Sequence, residues 1–139
     1  MRKQALTLLA LALTTACGAP GGVRVEGPAP PSESRGPVYV IAYMGDALQR
    51  PSDFALTEFS SMNGVRWQSW GGEQAVGTGE VSGTWCLPGC GTKGYPATIT
   101  LTGLTRFERT GYYARFTVTS SGHKIEDDLT DQKLEVPPR

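Results

Sequence analysis

Cys86 and Cys90 enclose Leu87-Pro88-Gly89, the tightest grouping of chemically active side chains in the sequence. A Pro-Gly turn can bring two Cα atoms within the ~4.4–6.8 Å that a disulfide needs, and closing so short a loop contributes about 2 kcal/mol through chain entropy. Paired thiols serve two other chemistries. Thioredoxin-like redox sites put two residues between the cysteines at a helix N-terminus, whereas this pair has three among strand-forming residues. Zinc needs about four ligands, and two thiols with the single His123 leave one missing unless carboxylates join. The pair therefore reads as a structural disulfide.

Serine or cysteine catalysis needs a base beside the nucleophile, and His123 lies in a polar stretch between Gly122 and Lys124, where it reads as surface decoration. Asp46, Asp53, Glu58, Glu73 and Glu80 could perform glycoside chemistry if two of them stood ~5–9.5 Å apart. An exported hydrolase using surface carboxylates is thus the alternative function. The cluster Glu126, Asp127, Asp128 and Asp131 lacks the alternating oxygen ligands and central glycine of a calcium loop and reads as solvated charge. No metal or cofactor is expected.

The aromatic residues point to binding instead. Trp67, Trp70, Trp85, Tyr95, Tyr112 and Tyr113 are many for a small domain, and rings on a β surface stack on sugars or anchor protein interfaces. The candidates are Trp70, Trp67, Trp85 and Tyr113. Strict alternation sets Val65 and Trp67 on one face and Trp70 on the other, so Trp70 is the residue expected to be most exposed. The competing reading is that the tryptophans fill a small barrel.

The elements that must position these residues begin after an export signal. Arg2 and Lys3 precede an apolar run from Ala5 to Leu13, and Thr14-Thr15-Ala16 supply small residues before Cys17. The run is too short for the ~20 apolar residues of a spanning helix. Small residues followed at once by cysteine resemble the lipobox of bacterial lipoproteins, although leucine usually stands where Thr14 does and here lies one step further back, at Leu13. The resemblance implies cleavage before Cys17 and a diacylglycerol with palmitate-type chains on its sulfur. It implies a protein held on the extracytoplasmic face of the cell membrane. The competing reading is a plain secreted protein with an incidental Cys17. A single acyl chain binds membranes only marginally, so two chains are the minimum for lasting attachment.

Gly18 to Gly36 is rich in Gly, Pro and Ser and reads as a disordered tether, about 25 Å long as a coil and up to ~60 Å when extended. A β-domain is expected over 37–120. Val38 to Met44 reads as a buried strand, Phe54 to Phe59 as a short one, and Asn63-Gly64 as a hairpin turn into Val65–Trp70. Gly77, Gly79 and Gly83 suggest bulges or bends between Gln74 and Cys86. Thr98 to Thr102 alternates with Ile99 and Leu101 on one face. In Gly111 to Ser120 the same rule groups Tyr112, Ala114, Phe116 and Val118, with Tyr113 opposite. Residues 121–139 read as a polar, loosely held tail, with Lys133 to Val136 a candidate edge strand.

The fold expected is all-β, a small antiparallel barrel or sandwich. Lys plus Arg equal Asp plus Glu at 13 each, and losing Arg2 and Lys3 with the leader leaves 11 − 13 = −2, which argues against a nucleic-acid partner. Tyr43 to Pro51, Trp67 to Gly72, Ala75 to Gly79 and Cys86 to Cys90 together resemble a group of actinobacterial secreted proteins and lipoproteins sharing a W-x-x-W-G signature before a cysteine pair. That resemblance implies no activity. The expected function is a non-enzymatic module at the end of its tether, with cell-wall glycan or an envelope protein as partner.

Overall fold

A computed structural model describes residues 36–138, and the chain is all-β. The expected leader 1–16, the lipid-bearing Cys17 and the tether as far as residue 35 lie outside the described residues. Eight strands form one curled sheet: β1 (Val38–Ile41), β2 (Ala47–Leu48), β3 (Phe54–Ala55), β4 (Ser60–Ser69), β5 (Ala75–Gly83), β6 (Tyr95–Phe107), β7 (Thr110–Thr119) and β8 (Gln132–Lys133). Their order is β2-β1-β7-β6-β5-β4-β3, with β8 on β7. All neighbours are antiparallel except β1 and β7, which run in parallel with Val38 opposite Gly111. The curl brings the ends of the sheet together, since the Tyr43 amide beyond β1 donates to the Ala55 carbonyl of β3 at 2.9 Å. Val40, Met62, Val81, Ile99, Leu101, Phe116 and Val118 fill the concave side.

Bulges decide which face each aromatic occupies. Asn63-Gly64 is not a hairpin turn, because β4 runs through it. Asn63 pairs with Glu80 and Arg66 with Thr78, so β4 carries one extra residue there. Gly64 has φ 59°, a conformation that suits a bulge glycine as well as a type I′ turn, which is why the dipeptide is ambiguous. The amides freed from the ladder find other acceptors: Gly64 N–H donates to Asp53 Oδ1 at 3.0 Å and Val65 N–H to Ser52 O at 2.8 Å. A second shift lies between Trp67, opposite Gly77, and Ser69, opposite Val76. The irregularities thus belong to β4, while β5 with its glycines stays regular.

A third inversion involves β6 and β7 together. The inward positions are Ile99 and Leu101 on one strand and Phe116 and Val118 on the other, but Gly111 and Tyr113 are inward before them. The change falls at Gly103, φ 68°, on the step beside Ala114. Both strands change face there without losing register, since Thr102 pairs with Arg115 and Leu104 with Tyr113.

The expectation of a loose tail is corrected. Beyond Ser120 the chain makes a single 3-10 turn at Asp127–Leu129 and then β8, two residues rather than the expected Lys133–Val136. Leu129 is wholly buried, Leu134 nearly so, and Ile125 packs on the core. Leu134 N–H donates to Ala114 O at 2.8 Å, and Arg115 binds Asp131 through Nε–Oδ1 at 2.6 Å, which holds the Asp131 carboxyl below its ordinary range. The polar composition conceals three apolar contacts spaced across the segment. Among the described residues no helix is long and apolar enough to cross a membrane.

Candidate functional site

The aromatics read as a binding platform divide between the two ends of the barrel-like sheet. Trp67, Trp70 and Tyr113 plug one end. The second β4 bulge turns Trp70 to the side that Trp67 occupies, and their rings meet edge-on at 4.7 Å. Trp70 also meets Tyr113 edge-on at 5.5 Å and donates Nε1–H to Val38 O at 3.1 Å, while Trp67 Nε1–H donates to Pro51 O at 2.9 Å. The Tyr113 hydroxyl accepts from Gly71 N–H at 2.9 Å and donates to Gly72 O at 2.8 Å. Tyr113 is wholly buried, and burial raises its phenol above the ordinary range. The expected exposure of Trp70 and the outward placement of Tyr113 are thus corrected: both face the core.

Trp85 caps the other end. It follows β5 in a 3-10 turn at Thr84–Cys86, lies half-buried near Tyr95, and donates Nε1–H to Ser60 Oγ at 2.8 Å. Ser60 is itself buried and donates to Glu126 Oε2 at 3.4 Å, so the C-terminal segment is tied to β4 through the indole's partner. His123 stacks on Tyr95 with ring centroids 4.0 Å apart. Cys86 and Cys90 form a disulfide, Cα–Cα 5.4 Å, closing a loop that contains a cis Leu87-Pro88 bond.

Beside this cap lies an open groove of about 690 Å³. Its floor is a row of small residues in register across three strands, Ala55 opposite Ser61 on β4 and Ser61 opposite Ser82 on β5. Its walls are Tyr43, Phe59 and Leu87, which are 40, 55 and 59% exposed, three of the four large hydrophobic side chains that face solvent among the described residues. The fourth, Met44, follows Tyr43. Thr57, Thr84 and Thr92 add hydroxyls to the rim and Glu58 adds a charge. Apolar side chains concentrated around one concavity mark a binding surface more strongly than scattered ones.

Neither Tyr43 nor Phe59 stands out in the sequence. Leu87 carried one usable signal, since the side chain of a five-residue disulfide loop has no interior to enter. Phe59 is displaced outward because the strand expected over Phe54–Phe59 stops at Ala55, and Leu56 and Thr57 amides both turn to Ser60 O.

The carboxylates weighed for hydrolysis are dispersed. Glu58 lines the groove, Asp53 accepts from Gly64 and Ser52, and Glu73 and Glu80 line separate shallow depressions. Among the described residues no three of His, Cys, Asp and Glu gather in a way that would hold a metal ion.

Burial, and then the charge of Asp128, push the Glu126 carboxyl above its ordinary value of 4.5. A raised acid favours the folded state when protonated, so its contribution is full below about pH 4.5 and is lost as pH rises through the elevated value. Glu126→Gln is therefore expected to raise the melting temperature at pH 7 and leave it unchanged at pH 4. The gain is small, on the order of 1 °C, because the carboxyl keeps one side toward water. Thermal melts of the two chains at both pH values check this.

No family model matches the chain, and neither a curated protein nor a solved structure matches it.

Proposed function

We propose that this protein is a cell-envelope lipoprotein, anchored through Cys17, whose β-domain binds a ligand in the groove walled by Tyr43, Phe59 and Leu87. The observation that carries the reading is the concentration of exposed apolar side chains around one row of small, hydroxyl-bearing residues. Rings flanking hydroxyls suit a sugar, which offers an apolar ring face and polar edges, so cell-wall glycan is the ligand class. A non-enzymatic role accords with the scattered carboxylates and with His123 stacked on Tyr95.

The topology supports a particular presentation. Residue 36 enters the domain at the start of β1, beside the β6–β7 turn, where Gly111 N–H donates to Pro37 O at 2.9 Å. The groove lies at the start of β4 and the end of β5, the far end of the long strands. The thirteen residues of β6 separate the two ends by up to about 40 Å at ~3.3 Å per residue. The groove thus lies at the end of the domain remote from the residue that receives the tether, the arrangement that suits a ligand lying outward from a membrane anchor.

Retention on insoluble peptidoglycan tests the ligand. Phe59→Ala combined with Leu87→Ala is expected to weaken retention by tenfold or more, since a hot-spot side chain contributes more than ~1.4 kcal/mol. Circular dichroism of the double variant should match the parent, because both side chains are exposed. Undiminished retention would remove the groove from the account.

A further inference from the structure

The groove walled by Tyr43, Phe59 and Leu87 holds charge of one sign. Glu58 alone among its lining residues is charged, and none of them is basic. A tight turn between β3 and β4 places Glu58: the Leu56 and Thr57 N–H groups both donate to Ser60 O, at 2.9 and 3.2 Å, and Phe59 N–H donates to Thr57 Oγ1 at 3.2 Å. Glu58 and Phe59 are thereby held next to one another on the rim, both exposed. Among the described residues the Glu58 carboxylate has no ion-pair or hydrogen-bond partner. Carboxylates also outnumber lysines beside the groove. Asp46 follows Tyr43 by three positions and Glu126 accepts from Ser60, while Lys93 follows Thr92; beyond them, near Trp85, Asp127 and Asp128 stand with Lys124.

We infer that the groove takes a hexosamine chain whose amines are free, and that Glu58 selects the ammonium group over its N-acetyl counterpart. The inference rests on the glycan reading and narrows it. Apolar walls and a hydroxyl-bearing floor suit any sugar, and neither distinguishes an amino sugar from a neutral one. The unpartnered carboxylate does. An ammonium meets it as an ion pair with a charge-assisted hydrogen bond, whereas an acetamide brings no charge. The faces of Tyr43 and Phe59 act in the same direction, because aromatic rings attract a cation. Glycans bearing phosphate or carboxylate groups are disfavoured, since no basic side chain lines the groove to meet them and Glu58 repels them. Because Glu58 is exposed, it contributes a few-fold preference and leaves the bulk of the affinity to the walls.

The test uses the chain from residue 17 onward with Cys17→Ser, so that no lipid contributes, titrated with tetramers of glucosamine and of N-acetylglucosamine at about pH 6, where an amine is protonated. The free-amine tetramer is expected to bind about fivefold more tightly. Glu58→Gln should remove that advantage and leave the affinity for the acetylated tetramer unchanged, and about 1 M salt should shrink the advantage as well. Asp46→Asn should leave it in place. Tetralysine, which carries the charge without a sugar ring, should bind no more tightly than the acetylated tetramer. An advantage that survives Glu58→Gln or vanishes with Asp46→Asn, or a preference for tetralysine, would overturn the inference. Equal affinities for the two tetramers, both lost on Phe59→Ala with Leu87→Ala, would overturn the selection by Glu58 while the glycan reading stands. Failure of both tetramers to bind would overturn the glycan reading and the inference with it.

Discussion

Ending the chain at Ser120 is expected to leave a domain that does not fold at 37 °C. The segment removed supplies Leu129 and Leu134, both buried, and each leucine taken from water into a core contributes about 1.5–3 kcal/mol. Their loss, roughly 3–6 kcal/mol, is set against the ~5–15 kcal/mol that stabilises a typical domain. The truncation also uncovers Phe116 and the edge of β7, where Arg115 and Phe116 pair with Lys133 and Gln132. A bare strand edge beside an exposed core promotes aggregation. Leu129→Ala isolates the packing contribution and should cost about 2–5 kcal/mol, while Asp131→Asn, in an exposed ion pair, should cost little. Urea titration measures all three. A truncated chain as stable as the parent would return residues 121–138 to the status of a dispensable tail.

The second large effect concerns the aromatic plug. Trp70→Ala is expected to lower stability by about 3–5 kcal/mol. It empties the space between Trp67 and Tyr113 and leaves the Val38 carbonyl without its indole donor. Tyr113→Phe keeps the ring and removes only the hydroxyl that bridges Gly71 N–H and Gly72 O, so a smaller loss of about 1–3 kcal/mol is expected. Trp70 could be mistaken for a ligand contact because its substitution would also weaken binding. The distinguishing readout is the denaturation midpoint: stability falls with Trp70→Ala, whereas Phe59→Ala, at an exposed groove wall, should leave it in place.

Most of the sheet is legible in the residue pattern, and the faces are legible only between bulges. Thr98 to Thr102 alternates and lies as expected, with Ile99 and Leu101 buried. Alternation fails at Gly64, near Gln68 and at Gly103, where one added residue or one left-handed glycine inverts every side chain beyond it. Trp70 and Tyr113 are misplaced for this reason and for no other. A glycine pattern does not say whether it marks a turn or a bulge, as Asn63-Gly64 demonstrates. The disulfide was readable because its loop is local, and the groove was not, because its floor is assembled from β3, β4 and β5 and its walls from three separate loops. The packed tail is not legible in composition, which averages over a segment where Ile125, Leu129 and Leu134 touch the core.

The proposed presentation of the groove requires the tether end of the domain to lie nearer the membrane than the groove does. The chain's three cysteines are Cys17, the proposed site of the lipid, and the bonded Cys86 and Cys90, so one added cysteine takes a fluorophore uniquely if the proposal holds. Energy transfer from a label at Glu108 or at Thr92 to an acceptor dye in the membrane of intact cells compares the two ends directly. Transfer should be strong from Glu108, much weaker from Thr92, and absent from both when Cys17 is replaced by Ser and the released chain is washed away. Equal transfer from the two positions, or stronger transfer from Thr92, would contradict an outward-facing groove.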